Sequence, residues 1–185
     1  MRGRPRRRGR RAAAARVAAL VVALPLVLSV ALAWGARGVT ELDPPRAAPG
    51  FDLPGLDGRM HGLEEFRGRY LLVNFWAVWC APCRQEMPSM ERAYGRLRGP
   101  DFEMLAIHVG PTLEGARQYA KELGLSFPIL VDEDMALTSW AVRGLPTTFL
   151  VDPAGRIVME AVGERVWDSP ELLARLRGLM GQDER

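Results

Sequence analysis

The hydrophobic pattern in the middle of this chain alternates between short apolar runs and segments of helical periodicity. The runs Tyr70–Trp76 and Phe102–Val109 are rich in β-forming residues and too short for helices, so they predict buried strands. Apolar residues at helical spacing predict a helix from about Pro82 to Arg98 and another over Leu113–Leu123. A predicted strand is therefore followed by a predicted helix twice in succession.

The last third of the chain predicts a β-hairpin preceded and followed by helices. Phe127–Val131 has the pattern of a short strand and Met135–Val142 that of a short helix. Thr147–Val151 and Arg156–Val162 predict the two arms of the hairpin, and Pro170–Met180 predicts an amphipathic helix. This order predicts an α/β fold in which a central mixed β-sheet is flanked by helices.

Two further segments precede the first of these strands. Residues 37–50 hold three prolines and few large apolar side chains, and therefore predict a linker. Residues 51–66 contain short apolar patches around the turn signal Asp57-Gly58, which predicts a small hairpin. The globular domain is accordingly expected to span residues 51–185.

The N-terminal residues divide into a basic block and an uncharged apolar run. Residues 1–16 carry eight arginines and no acid, and Val17–Ala36 carries no charged residue. As a helix, this run would span roughly 30 Å, the thickness of the hydrocarbon layer of a membrane. The positive-inside rule then predicts a cytoplasmic basic tail, a transmembrane segment over 17–36 and a domain on the extracytoplasmic side, in the periplasm or at the outer face.

Two fates are open for the apolar run. Its length favours an uncleaved signal-anchor, whereas Ala31-Leu32-Ala33 has the small-x-small form of a signal-peptidase site. Cleavage after Ala33 would give a secreted domain. Both outcomes export the domain.

The net charge of +3 originates in the N-terminal tail. Without the eight arginines of that tail, the rest of the chain has a net charge of −5. Its basic residues are dispersed among acids, which argues against a nucleic-acid-binding face. The apolar content of 48% over 185 residues is sufficient for the core of one ordinary domain.

Both cysteines, Cys80 and Cys83, lie between the first predicted strand and the first predicted helix. A thiol just ahead of a helix faces free backbone N–H groups and the positive end of the helix dipole, and both lower its pKa. Cys80 is therefore predicted to attack a partner disulfide, and Cys83, one turn further in, to resolve the mixed disulfide. The redox-active disulfide would need no other cofactor.

The same CxxC spacing could supply two of the four ligands of a zinc site. The chain has no third cysteine, and its two histidines, His61 and His108, have no matching spacing. The sequence therefore predicts no metal site. His108 is interpreted as a strand-end residue and not as a catalyst.

Three stretches of the chain resemble one protein family. LLVNFWAVWCAPCRQEMPSM, GLPTTFLVDPAGRIV and FDLPGLDGR are similar to the membrane-anchored thioredoxin-like proteins of the TlpA/ResA type, and also to those that serve cytochrome c maturation. The resemblance covers roughly Phe51 to Gly178 and implies a thioredoxin fold.

The resemblance also implies a substrate-binding edge. Pro146 would be a cis-proline beside the cysteine pair, where the backbone near Leu145 pairs with an extended substrate. Trp79 and Thr147 complete the expected substrate contacts. The alternatives are an ordinary loop proline at Pro146 and a packing role for Trp76 and Trp79.

Asn74 and Glu86 refine the resemblance. Ordinary thioredoxins resemble each other in carrying a buried acid where Asn74 stands, and an amide cannot take a proton there. The TlpA/ResA type often has an acid at the position of Glu86, which implies that Glu86 governs the ionisation of Cys83. The alternative for Glu86 is a solvated helix face.

We therefore expect an extracytoplasmic protein-disulfide oxidoreductase that acts as a reductase on exported proteins, apocytochrome c being one candidate. Electrons would come from a membrane donor, and the protein is expected to be a monomer held by its N-terminal segment. Two alternatives use the same thiols. One is a thiol peroxidase with antioxidant activity, and the other is a non-enzymatic metal or haem chaperone.

Overall fold

Six strands of the chain form one β-sheet in the computed structural model, which describes residues 38–182 apart from 112 and 136. The regular elements follow in this order: β1 (Val39–Ala47), β2 (Asp52–Pro54), β3 (Met60–Gly62), a 3₁₀ helix (Leu63–Phe66), β4 (Tyr70–Trp76), α1 (Ala81–Leu97), β5 (Phe102–Val109), α2 (Leu113–Leu123), β6 (Ile129–Asp132), a second 3₁₀ helix (Leu137–Trp140), β7 (Thr147–Val151), β8 (Arg156–Val162) and α3 (Pro170–Leu179). β2 and β3 form a separate hairpin.

The six-stranded sheet is mixed, with the strand order β1-β8-β7-β4-β5-β6. β4, β5 and β6 are mutually parallel, whereas β7, β8 and β1 join by antiparallel pairing. β4 lies inside the sheet and is buried on both faces over most of its length, as its uninterrupted apolar run requires. Its C-terminal end leads the chain directly towards the cysteine pair.

Alternate strand residues face two separate hydrophobic clusters. On one face the sheet packs against α1, α2 and α3, with Met87, Ala116 and Leu176 among the buried contacts. The other face packs against the β2–β3 hairpin and the 3₁₀ helices, with Leu53 and Trp140 among the contacts. The predicted architecture, a central mixed β-sheet flanked by helices, is confirmed.

The linker predicted over residues 37–50 is wrong for most of its length. Val39–Ala47 is β1, an edge strand that pairs antiparallel with β8. Its register shifts between Glu41 and Arg46, and Pro44 and Pro45 lie within this irregular stretch. Prolines are tolerated at bulges of edge strands, so they did not mark a linker here, and the folded domain begins with β1.

The other predicted elements agree closely with the structure. The bounds of β4, β5, α2, β7 and β8 are those expected, and residues 51–66 contain the expected hairpin. Residues 135–142 contain the 3₁₀ turn Leu137–Trp140 in place of a short α-helix.

The predicted basic tail, residues 1–16, and the predicted apolar segment, residues 17–36, lie outside the described residues. Among the helices of the described region, none combines the length and hydrophobicity needed to cross a membrane.

Candidate active site

The two cysteines lie where the chain passes from β4 into α1. Cys80 is the N-cap residue of α1, with an extended backbone, and its Sγ accepts the N–H of Cys83 at 3.3 Å. Pro82 lies in the first turn, where its missing N–H costs no helical hydrogen bond. The two Sγ atoms are joined in a disulfide. The sequence prediction that Cys80 precedes the helix and Cys83 lies within it is confirmed.

The two sulfur-bearing residues differ in accessibility. Cys80 is 6% exposed and Cys83 is 0% exposed, so only Cys80 reaches the surface. Once the disulfide is reduced, a thiolate on Cys80 would face the free N–H groups and the positive end of the dipole of α1, which favour the anion. The geometry therefore supports Cys80 as the attacking residue and Cys83 as the resolving residue.

Glu86 is buried one helical turn after Cys83. Its side chain is on the interior face of α1, with a residue exposure of 2%, so the alternative of a solvated helix face is wrong. Asn74 of β4 donates from Nδ2 to Glu86 Oε1 at 2.8 Å, and also to Thr148 Oγ1 at 2.8 Å. The amide at Asn74 thus anchors an acid on the neighbouring helix, a contact that the sequence did not reveal.

The other carboxylate oxygen of Glu86 is held by the loop between β8 and α3. Trp167 donates from Nε1 to Oε2 at 3.0 Å, and the backbone N–H of Arg165 donates to the same oxygen at 3.1 Å. Ser89 fastens the loop to α1, because its Oγ accepts the N–H of Trp167 and donates to the carbonyl of Glu86. A tryptophan in a loop of mostly polar residues is the sequence signal that could have indicated a buried contact for this loop.

Burial raises the pKa of Glu86 to about 7, and the hydrogen bonds from Trp167, Asn74 and the Arg165 amide oppose the rise. The balance has a chemical consequence. A carboxyl group with this pKa exchanges a proton readily near neutral pH, which suits a general acid or base.

The chain before β7 lies at the C-terminal end of β4, because Thr147 pairs with Phe75. The Leu145–Pro146 peptide bond is cis, as the resemblance implied, and the carbonyl of Pro146 accepts the N–H of Gly163. Thr147 is only 1% exposed and donates from Oγ1 to the Gly144 carbonyl, a bond that fixes the turn before Pro146. Its expected contact with a substrate stays a prediction.

An open apolar cleft adjoins this turn. It has a volume of about 350 Å³ and is lined by Phe75, Trp79, Val109, Met135, Leu145 and their neighbours. Trp79 is 67% exposed, whereas Trp76 is fully buried and packs against the rings of neighbouring elements. The packing interpretation is therefore confirmed for Trp76, and Trp79 presents its indole to the surface.

Within the described residues, no group of three or more His, Cys, Asp or Glu side chains could hold a metal ion. His61 instead bonds Asp57 and Glu65 through its two ring nitrogens, on the β2–β3 hairpin and the 3₁₀ helix after it.

The part of the chain that matches a known protein family covers most of the domain. The profile of the AhpC/TSA family matches residues 44–159. A thiol-disulfide oxidoreductase ResA from Geobacillus thermodenitrificans is 41% identical over 111 residues, which are 60% of this chain and 64% of the relative. A ResA from Bacillus thuringiensis is 31% identical over 127 residues, or 68% of this chain and 73% of the relative. The chain thus spans 64% of the length of the first of these relatives.

A solved structure gives the same picture of the fold. The thiol:disulfide interchange protein of the thioredoxin family from Chlorobium tepidum is 27% identical, with a TM-score of 0.62. The match covers 71% of this chain and 95% of that protein. The mixed sheet with its helices is therefore a thioredoxin-like α/β fold, as the sequence predicted.

Proposed function

Because this chain belongs to the AhpC/TSA family and is related to the ResA proteins, we propose that it is an extracytoplasmic thiol-disulfide oxidoreductase that reduces disulfides of exported proteins. The observation that carries the proposal is the Cys80–Cys83 disulfide at the N-terminus of α1, with the more accessible cysteine at the helix start. This arrangement stores two electrons and presents one sulfur to a partner.

The exchange proceeds from the reduced dithiol in two steps. The Cys80 thiolate attacks one sulfur of the substrate disulfide, which forms a mixed disulfide and releases the first substrate thiolate. Deprotonated Cys83 then attacks Cys80 Sγ, which re-forms the Cys80–Cys83 disulfide and releases the second substrate thiolate. The substrate gains two electrons and the protein loses two. A membrane donor is proposed to return them.

Glu86 is proposed to take the proton of Cys83 before the second step. It follows Cys83 by three residues on the same side of α1, and it is buried with the resolving cysteine. Its pKa of about 7 leaves it partly ionised at neutral pH, so it can accept a proton and later return it. Asn74 has no proton-accepting carboxylate and contributes by holding Glu86 in place.

The surface around Trp79 and Leu145 is proposed as the docking site of the substrate. Trp79 is exposed, Leu145 is half-buried, and both line the apolar cleft before β7. The backbone near Leu145 would pair with an extended substrate segment that carries the disulfide. Apolar residues next to the substrate cysteines would occupy the cleft.

The exported location and the partners are part of the same proposal. An arginine block before an uncharged run of twenty residues supports an anchored protein whose domain faces away from the cytoplasm. The motif resemblance to proteins of cytochrome c maturation supports apocytochrome c as one substrate. A monomer acting through a single accessible cysteine satisfies this mechanism.

Trapping tests the proposal directly. A Cys83→Ser variant of the full chain, produced in its own cells, should accumulate a mixed disulfide between Cys80 and its partner, because the resolving thiol is absent. Adducts are identified by electrophoresis with and without reductant, followed by mass spectrometry. Cys80→Ser is the matched control and should trap nothing.

Three outcomes would contradict the proposal. Adducts on Cys83 in the Cys80→Ser variant, with none in Cys83→Ser, would reverse the order of the cysteines. Absence of adducts in both variants, together with a strongly oxidising potential, would rule out a reductase. Rapid formation of sulfenic acid at Cys80 with peroxide, without protein adducts, would favour a thiol peroxidase.

A further inference from the structure

His108 is a buried titratable residue that the exchange steps do not use. It lies near the end of β5, in parallel register with Trp76 of β4, and is 0% exposed. The backbone N–H of Val78 donates to its Nε2 atom at 3.2 Å. Val78 is two residues before Cys80, so the bond connects the sheet to the loop that delivers the attacking cysteine.

Aromatic packing orients the His108 ring. The imidazole meets the Trp76 indole nearly edge to face, with 5.2 Å between the ring centroids. Trp76 in turn packs against Tyr119 of α2, with 5.7 Å between the centroids. The His108 ring therefore cannot turn without displacing the buried Trp76 indole, which the half-buried Tyr119 ring supports.

The hydrogen bond from the Val78 amide requires one particular protonation state of the His108 ring. Nε2 accepts an N–H only when it carries no proton, so the neutral ring must be protonated on Nδ1. Burial lowers the pKa of His108, and a hydrogen bond with the Gly110 backbone partly opposes this effect. The ring is therefore neutral at neutral pH, and a proton added to Nε2 would place two donors against each other.

The ionisable groups on the elements around His108 do not substitute for the imidazole in its hydrogen bond with the Val78 amide. From α2, the Tyr119 hydroxyl donates to the Arg84 carbonyl, and burial raises the pKa of Tyr119, so it stays neutral. From β6, Asp132 follows Val131, which pairs with His108, and alternation turns Asp132 to the opposite face, where it lines the cleft near Trp79.

On the helix face of the sheet, α1 contributes the Cys80–Cys83 pair and Glu86. Glu86 titrates near neutral pH. The titration of Glu86 affects every variant at position 108 in the same way. A difference in alkylation rate between these variants therefore reports on His108 alone.

We propose that His108 is a positioning residue whose neutral ring fixes the loop ahead of Cys80 through the Val78 amide. Protonation of the ring releases this loop. The inference rests on the proposed exchange reaction. A released loop displaces Cys80 from the N-terminus of α1, where its thiolate is stabilised. The reactivity of Cys80 should therefore fall in acid more steeply than the ionisation of the thiol alone requires.

The test measures the alkylation rate of Cys80 by iodoacetamide between about pH 5 and pH 8, in the full chain with Cys83→Ser, so that a single thiol reports. His108→Gln keeps an acceptor oxygen near the position of Nε2 but does not titrate. It should retain the rate at neutral pH and lose the extra fall in acid. His108→Leu removes the acceptor and should lower the neutral-pH rate about tenfold.

His61→Gln is the matched control. His61 is the only other histidine of the chain and is also buried, but it bonds Asp57 and Glu65 on other elements. Its replacement should leave the alkylation profile of Cys80 unchanged. Thermal unfolding of each variant separates a folding defect from a local effect.

Several results would overturn the inference. A His108→Gln profile identical to that of the parent would show that the ring does not gate Cys80, even if His108→Leu fails to fold. A rate that rises in acid only when His108 is present would indicate a charge effect in place of positioning. Alkylation needs no protein partner, so failure of the trapping experiment with an intact alkylation profile would contradict the proposed function alone.

Discussion

At Glu86, burial and hydrogen bonding act in opposite directions on one carboxyl group. Burial raises its pKa and three donors lower it, with a result of about 7 against 4.5 for the free group. The folded protein therefore binds this proton more tightly than the unfolded chain does. The stability gained from protonation is fully present below about pH 4.5 and is lost as the pH rises through about 7.

Glu86→Gln should remove that pH dependence. Glutamine is uncharged at every pH, so its burial cost does not change with pH. Between about pH 4.5 and pH 8 the parent should lose about 3 kcal/mol more of its unfolding free energy than the variant loses. Urea unfolding of the oxidised proteins at several pH values measures the difference. Equal slopes for the two proteins would show that Glu86 is ionised throughout.

Trp167→Phe should raise the pKa of Glu86 further. The indole N–H stabilises the carboxylate, and phenylalanine fills much of the same space without a donor. We expect a rise of about one unit, followed by NMR of ¹³C-labelled glutamate carboxyl groups. Trp140→Phe is the control, since Trp140 is equally buried but packs in the cluster on the opposite face of the sheet. A shift of equal size in both variants would refute a specific contact.

Single residues of this site were predictable where their chemistry depends on local sequence. Cys80 and Cys83 follow from their spacing at a strand-to-helix junction, because a helix N-terminus is a local structure. Trp167 is 81 residues from Glu86 along the chain, and their contact depends on how the loop after β8 returns to α1. No local pattern encodes that return.

The strand β1 closes one edge of the sheet. It pairs with β8, and Val39 packs on the cluster that also contains the cysteine helix, whereas Thr40 is exposed. The ion pair between Arg175 of α3 and Glu41 adds a contact to the last helix. The strand is therefore an integral part of the domain.

Val39→Asp should destabilise the domain, since it places an unpaired charge against an apolar cluster. A loss of at least about 1 kcal/mol in unfolding free energy is expected. Thr40→Asp, one residue further on, faces solvent and should change stability little. Chemical denaturation of the two variants compares them. Equal and small effects of the two substitutions would show that β1 contributes little to the stability of the domain and behaves as a linker that lies against β8.

The elements that the sequence identified share one property. β4, β5, β7 and α2 bury apolar residues at regular periods, and the period itself specifies the element. β1 lacks such a period because its prolines interrupt it, and its strand state depends on pairing with β8, more than a hundred residues away. Pairing partners of that separation are decided by tertiary packing.

The proposed topology places the basic tail and the active site on opposite sides of a membrane. In intact cells, reduced Cys80 should therefore react with a membrane-impermeant maleimide. The matched control is Ala13→Cys in a chain with Cys80→Ser and Cys83→Ser, whose only thiol lies in the basic tail. This thiol should react only after lysis. Labelling of Cys80 only after lysis would contradict an extracytoplasmic domain.

Spacing, capping and periodicity are local properties, so the redox pair, its position at the start of a helix and the order of most strands and helices follow from the amino-acid sequence alone. The sequence also carries the charge asymmetry on which the proposed topology rests. Three features depend on the assembled fold: Glu86 is buried between Asn74 and Trp167, His108 holds the Val78 amide, and β1 completes the sheet. Each of these contacts joins residues distant in sequence, so each exists only after the sheet has assembled.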